Sequence, residues 1–317
     1  MKNFLYELKK KIIKAGSDLK FMCSDFCGFI LDVNEREMYK YAPKISDKLL
    51  LKCWYKKRTG QKLNLRNPRT LNEKLQWLKI NDRKDIYTTM VDKYEMKSYV
   101  ESILGKPCTI PTLGVYKSFE EIDFLALPNR FVLKCTHDSG SAVICTDKEK
   151  FDYETSKEKF KYSLSRNYFW KAREWPYKNV EPRIICEAYL ENKDQSPLVD
   201  YKFYCYGGEP RYFMYSLGEA EHRVRNHKFG MDLQSIDHLF KAKEAIRSED
   251  IILPPNINEM IDMVRTLCEG FKHIRIDLYN IDGKIYVGEM TFFSGAGLIN
   301  MDSKEYEQFL ADQITLR

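Results

Sequence analysis

No stretch of this chain approaches the ~20 consecutive apolar residues that a bilayer-spanning helix needs, and its first residues lack the unbroken apolar core and small-residue cleavage site of a secretory signal. The expectation is a protein that neither spans a membrane nor is exported. Cysteines at metal-binding spacing are also missing. The nine cysteines are odd in number, Cys23 and Cys27 make a lone CxxxC, and others lie inside apolar runs such as FVLKCT and RIICEAYL. This excludes a zinc ribbon or a secreted disulfide scaffold and fits reduced thiols in a cytoplasmic protein. GxxxxGKS/T occurs nowhere, which excludes a Walker-type phosphate loop. Neither a DxD pair nor a Rossmann-type nucleotide pattern is present, and internal repeats and low-complexity tracts are absent too.

With 44% hydrophobic residues in 317, the chain can bury a sizeable core. Its net charge of +6 is unevenly placed: residues 1–70 hold 17 Lys and Arg against 7 Asp and Glu, and the rest holds 35 against 39. Within the basic segment, MKNFLYELKKKIIKAG sets Phe4, Leu5, Leu8, Ile12 and Ile13 at helical spacing among lysines. Such a helix either packs on its own domain or makes peripheral contact with an anionic membrane face. Without RNA-type aromatic motifs or a zinc-finger spacing, the basic excess does not point to nucleic acid.

The pattern along the chain predicts an α+β fold, because strands come in pairs with helices between them. We place a helical, basic segment at 1–65, a helical and mixed lead-in at 66–125, a smaller subdomain at 126–186 and a larger one at 187–317. TLNEKLQWLKIND has Thr70 and Glu73 spaced as a capping box, and VDKYEMKSYVESILG predicts one further helix ended by Gly105. FVLKCTHDSGSAVIC predicts strand, small-residue loop and strand, VDYKFYCYGGEPRYFMYSL a hairpin about Gly207-Gly208, and INEMIDMVRTLCEGF an amphipathic helix.

Several strands carry charge where alternation predicts burial. In RIDLYNIDGKIYVGEMTFF we expect a three-residue loop with Gly283 in a bulge, which sets Arg275 across from Glu289 and Asp277 across from Val287. Arg275, Asp277, Glu289 and Thr291 then share one face. Two carboxylates brought together there call for a cation, and oxygen-only ligands suit Mg²⁺. A plain surface hairpin with an Arg275–Glu289 salt bridge is the competing reading. Lys134, inside an apolar strand, needs an anionic partner, and the loop with Ser139 and Gly140 beside it offers backbone N–H groups to a phosphate. Asp200 and Lys202 alternate with Tyr201 and Phe203. In GEAEHRVRNHKFG, Arg223, Arg225, His227 and Lys228 crowd an expected loop that suits an anionic sugar, or are simply solvated.

The ordered series LNLRNPRTLNEKLQWLKIND, VDKYEMKSYV, IPTLGVY, FVLKCTHDSG, DYKFYCYGGEP and RIDLYNIDGKIYVGEMTFFSGAGL resembles the ATP-grasp superfamily, in the TupA-like branch of teichuronopeptide biosynthesis, over about residues 45–317. The resemblance implies an ATP-grasp fold, two α+β subdomains clasping ATP, and the cofactors ATP and Mg²⁺. It implies that Lys93 and Lys134 hold phosphates and that the His137–Ala142 loop, with Ser139 and Gly140, closes over them. Glu187, Tyr189 and Leu190 would form the adenine hinge, Asp200 would reach the ribose and Lys202 a phosphate. Asp277 and Glu289 would bind Mg²⁺, and Arg275 would steady charge at the reacting carbonyl. The implied reaction joins an anionic saccharide, a uronic acid of a surface polysaccharide or its precursor, to an amine through an acyl phosphate. A glycosyltransferase of surface-polysaccharide assembly is the alternative. Two features depart from the superfamily's pattern: Thr291 stands where Asn is usual, and no leading Rossmann-like domain is evident.

Overall fold

A computed structural model describes Tyr39 and residues 42–218, 224–240 and 246–316. The lysine-rich stretch MKNFLYELKKKIIKAG, with the membrane contact expected of it, lies outside the described residues, as does Arg223.

The strands form two sheets, both antiparallel throughout. The first holds β1 (Thr112–Tyr116), β2 (Phe131–Cys135), β3 (Val143–Cys145) and β4 (Ile184–Ala188), in the order β1-β4-β2-β3. The second holds β5 (Asp200–Tyr206), β6 (Glu209–Leu217), β7 (Arg225–Gly230), β8 (His273–Ile281) and β9 (Lys284–Thr291), in the order β7-β6-β5-β8-β9. Gly207 and Gly208, both at positive φ, close the β5–β6 hairpin as a two-residue turn, the conformation for which glycine carries no steric cost.

Helix α1 (Asp47–Thr59) is capped by Ser46. Helix α2 (Leu71–Asn81) starts at the expected capping box: Thr70 Oγ1 accepts from Glu73 N at 3.2 Å, and Glu73 Oε2 accepts from Thr70 N at 3.2 Å. Leu71, Leu75 and Leu78 turn its apolar stripe into the main core. Beside that stripe runs a second, polar one of Asn72, Gln76 and Lys79, also buried. The helix expected over VDKYEMKSYVESILG is present as α4 (Glu95–Leu104), ended by Gly105 as expected but starting four residues late, while Val91 closes a separate helix, α3 (Ile86–Val91). Asp92 separates the two. Its backbone is extended and its Oδ1 accepts from Tyr94 N at 2.9 Å and Glu95 N at 3.3 Å, so the aspartate side chain competes with the helix for backbone donors. Lys93 stands in the break.

Helix α5 (Tyr153–Leu164) lies on the four-stranded sheet, where Phe119, Phe131, Leu133, Phe160 and Ile184 make a small core. Helix α6 (Ile257–Cys268) buries Met260, Val264 and Leu267 in the larger core against Phe203, Ile274 and Ile276. The α2–α4 helices pack with this larger core, so the lead-in segment serves the five-stranded sheet at one end and, through β1, the four-stranded sheet at the other. Arg183 ties the two units: its Nη2 lies 2.7 Å from Asp92 Oδ2 and 2.9 Å from Glu95 Oε1. Cys108, Cys135, Cys145, Cys186, Cys205 and Cys268 are free and buried. Among the described residues, no helix is long and apolar enough to cross a membrane.

Candidate active site

Asp277 and Glu289 do share a face, by a route the sequence reading missed. The β8–β9 tip is a two-residue turn: Ile281 pairs with Lys284, and both Asp282 (φ 49°) and Gly283 (φ 86°) are left-handed, as a type I′ turn requires. That turn alone would put the two acids on opposite faces. A β-bulge between Asp277 and Leu278 corrects the phase, with Gly288 as the extra residue, so that Leu278 faces Val287 while Asp277 faces Glu289. Arg275 therefore lies across from Thr291, not Glu289, and Asp277 across from Glu289, not Val287. Gly288 is a glycine for cause, since a Cβ there would sit 2.6 Å from the Tyr279 ring.

The neighbouring strand adds to this face. Lys202 of β5 pairs with Asp277 of β8, and Asp200 follows two residues before it. The Lys202 ammonium contacts Asp200 Oδ2 and lies 3.4 Å from Asp277 Oδ2. Arg275 donates from Nε and Nη2 to the two Asp277 oxygens at 2.6 and 2.7 Å, and its Nη1 donates to Ser294 Oγ at 3.2 Å. Its Nη2 also reaches Thr291 Oγ1 at 3.3 Å and stands 4.0 Å from Glu289 Oε2. Thr291 in turn donates to Glu289 Oε1 at 3.1 Å. Burial works to push Asp200 up, to about 6. Burial would raise Glu289 too, but Lys93, Arg275, Lys202 and Lys134 outweigh it and hold this carboxyl at about 2. Four cations, two of them from outside the five-stranded sheet, thus act on one carboxylate.

The second group gathers on the four-stranded sheet. Lys134, the lysine in need of an anion, has one: its Nζ is 2.6 Å from Glu187 Oε2, and Lys97 Nζ is 2.6 Å from Oε1. Glu187 is inside β4, and its side chain is only 3% exposed. Burial would raise its pKa, yet Lys134 and Lys97 bring it below the ordinary value. Lys93 donates to the Asp138 carbonyl at 2.5 Å. In the loop after β2, His137 Nε2 meets Ser163 O at 3.0 Å, while Asp138 accepts from Ser141 Oγ at 2.5 Å and from Arg166 at 3.2 Å. Both ends of the loop are anchored, leaving Ser139 and Gly140 as its open part.

Beside the first group lies a cleft of about 270 Å³, lined among others by Ser139, Tyr168, Glu174, Arg275, Glu289 and Ser294. One wall is the segment after β9, where Gly295, Ala296 and Gly297 are all left-handed. The polar stripe of α2 holds this segment. Gln76 Nε2 donates to Gly297 O at 2.8 Å, Lys79 Nζ to Ala296 O at 2.7 Å, and Asn72 both donates to Ile299 O (3.0 Å) and accepts from Ile299 N (2.9 Å).

Of the expected residues, Lys93, Lys134, Asp200, Lys202, Arg275, Asp277 and Glu289 are thus linked by contact or by charge, and Ser139 shares the cleft with Arg275 and Glu289. Tyr189 and Leu190 follow β4, with the Tyr189 ring 5.2 Å beneath the Arg130 guanidinium rather than in the charged cluster. The loop expected within GEAEHRVRNHKFG is corrected over its described strand residues. Arg225 to Gly230 is strand β7, not a loop, His227 is buried, and its Nδ1 lies 3.1 Å from Asp237 Oδ2, with Lys228 Nζ 3.1 Å from Oδ1. Lys228 thus already has its anion. Sequence reasoning missed Lys97, Lys79 and Glu174. Only Lys97 left a trace, four residues after Lys93 in a helical pattern.

A family model described as TupA-like ATPgrasp matches residues 73–315. No curated protein matches. Among solved structures, a D-alanine–D-alanine ligase from Bacillus anthracis complexed with ATP is 13% identical, over 71% of this chain and 63% of that one, with a TM-score of 0.39. The D-alanine–D-alanine ligase from Helicobacter pylori is 14% identical over 71% of this chain and 61% of that one, also at 0.39. A RimK domain ATP-grasp protein from Sphaerobacter thermophilus is 11% identical over 72% and 69%, at 0.40. The chain spans less than two thirds of the length of those two D-alanine ligases.

Proposed function

The chain belongs to the TupA-like ATP-grasp family, and from that premise we propose that it is an ATP-dependent carboxylate–amine ligase working through an acyl phosphate. One observation carries the reading: the Glu289 carboxylate, set opposite Asp277, is kept ionised by cations drawn from several elements. Such a convergence suits a polyanion held between the sheets, and a carboxylate becomes a competent electrophile only after phosphoryl transfer to it.

Lys93 and Lys134 supply positive charge to the phosphates, as compact point charges on flexible stems. Ser139 of the open loop lines the cleft that Arg275 and Glu289 share. Asp200 Oδ1 is buried without a hydrogen-bond partner among the described residues, an acceptor that a ribose hydroxyl would satisfy. Arg275, already bidentate on Asp277, stabilises charge that develops on the reacting carbonyl oxygen. The donor set fits Mg²⁺: Asp277 and Glu289 are adjacent, and both offer only oxygen. Bound there, the ion would supply charge neutralisation at the phosphoryl oxygens. For the acid we propose a uronic acid of a bacterial surface polysaccharide or its precursor, and for its partner an amino acid or other amine; this part rests on the resemblance to the TupA branch.

The test is incubation with ATP, Mg²⁺ and a panel of uronic acids and amines, following ADP and phosphate. Asp277→Asn and Glu289→Gln are expected to lower turnover by ~10²- to 10³-fold or more. Full activity in either variant, or UDP release from a sugar nucleotide without ATP use, would overturn the reading.

A further inference from the structure

Glu174 lines the cleft beside Arg275 and Glu289, yet it is only 5% exposed. Among the described residues, no hydrogen bond or ion pair reaches its carboxylate. Lys79 acts on it through space, but the Lys79 ammonium is directed to the carbonyl oxygens of Ala172 (2.8 Å) and Ala296 (2.7 Å). A buried carboxylate without a contact partner is costly, so the group that completes it comes from the cleft. Around it stand Trp54, Tyr168 and Tyr177, whose ring faces favour a cation over an anion or an alcohol. Lys171 and Arg275 share the lining, giving the acid substrate a cationic side of its own.

From this arrangement we infer that the cleft is the docking site of the amine co-substrate, with Glu174 receiving its ammonium group and then its proton. The inference rests on the ligase reading and names where the nucleophile enters. The ammonium gives one proton to Glu174, the freed nitrogen lone pair forms the C–N bond at the acyl carbon, and the carbon–oxygen bond to phosphate breaks. The second proton lost by nitrogen leaves with the phosphate, giving amide, hydrogen phosphate and neutral Glu174. Burial, opposed by Lys79, Arg275 and Lys171, pushes this carboxyl up to about 7, a value suited to accepting a proton near neutrality.

The first measurement needs no turnover. Saturation-transfer NMR compares n-butylammonium, n-butanol and n-butyrate, matched as cation, neutral and anion, on the intact chain. We expect the cation to bind best, and Glu174→Gln to weaken it tenfold or more at an unchanged melting temperature. Trp54→Leu, at the cleft wall, should weaken it several-fold and serves if Glu174→Gln fails to fold. Equal binding of cation and alcohol, or preference for butyrate, overturns the inference. A second measurement uses ATP, Mg²⁺ and a uronic acid with either n-butylamine or hydroxylamine, which is already neutral at pH 7. Glu174→Gln should lose the butylamide at least tenfold while keeping hydroxamate formation, and equal loss of both overturns the proton-accepting role. If wild-type protein forms neither product, the ligase reading fails, and the binding result still decides the docking site.

Discussion

Replacing Glu289 by Gln asks whether cations or the neighbouring acid dominate at this position. Its carboxyl lies at about 2 rather than 4.5, which means that the folded protein favours the charged form by about 3 kcal/mol. The side chain remains 27% open to the cleft, so the expected loss for Glu289→Gln at pH 7 is about 1–3 kcal/mol. The sign follows from the depressed value: the contribution is complete above pH 4.5 and is lost as pH falls toward 2. By pH 3 the gap between wild type and variant should shrink to roughly half. Urea unfolding at pH 7 and pH 3, at matched ionic strength, measures both numbers. Were repulsion from Asp277 the larger effect, Gln would stabilise the protein at pH 7 and the gap would reverse. That result would refute the claim that Lys93, Arg275, Lys202 and Lys134 gather on this carboxylate.

Other outcomes follow from the same contacts. Lys97→Met leaves Glu187 buried with Lys134 alone and should cost about 1–3 kcal/mol, with part recovered in Lys97→Met/Glu187→Gln; thermal melts of the set check this, and a neutral single variant would dismiss the clasp. Gly297→Ala forces a Cβ to 2.9 Å from Gln76 Nε2 and 3.3 Å from Leu75 Cβ at φ +67°, so a loss of about 1–3 kcal/mol is expected in chemical denaturation. Deleting Gly288 makes the β8–β9 ladder regular without swapping faces. Melting should move by only a few degrees while ligase turnover falls at least tenfold, and an active deletion variant would show that the bulge does not aim Glu289.

Local chemistry was the legible part. The Thr70–Glu73 capping box, the Gly207-Gly208 turn and the α6 stripe each depend on residues within a few positions of one another, and all are present. The acid pair was foreseen through the wrong turn, because a bulge is invisible to a count of alternation. The helix over VDKYEMKSYV was overextended because Asp92 reads as an ordinary helical residue until its side chain is seen accepting from Tyr94 and Glu95. Glu174, Lys79 and Lys97 were illegible for another reason: their partners lie about 90 or more residues away or in a cleft, and no periodicity reports which elements stack. His227 and Lys228 misled because Asp237, which both side chains contact, comes ten and nine residues later.

Val287 and Glu289 are two positions apart in one strand, yet one feeds the core and the other the cleft. Gly288 therefore acts as a phase reset, decoupling the tip of the ribbon from its working end. With Leu278 and Val287 locked in the core, insertions or deletions between Ile281 and Lys284 can be absorbed at the surface, and the acids need not register them.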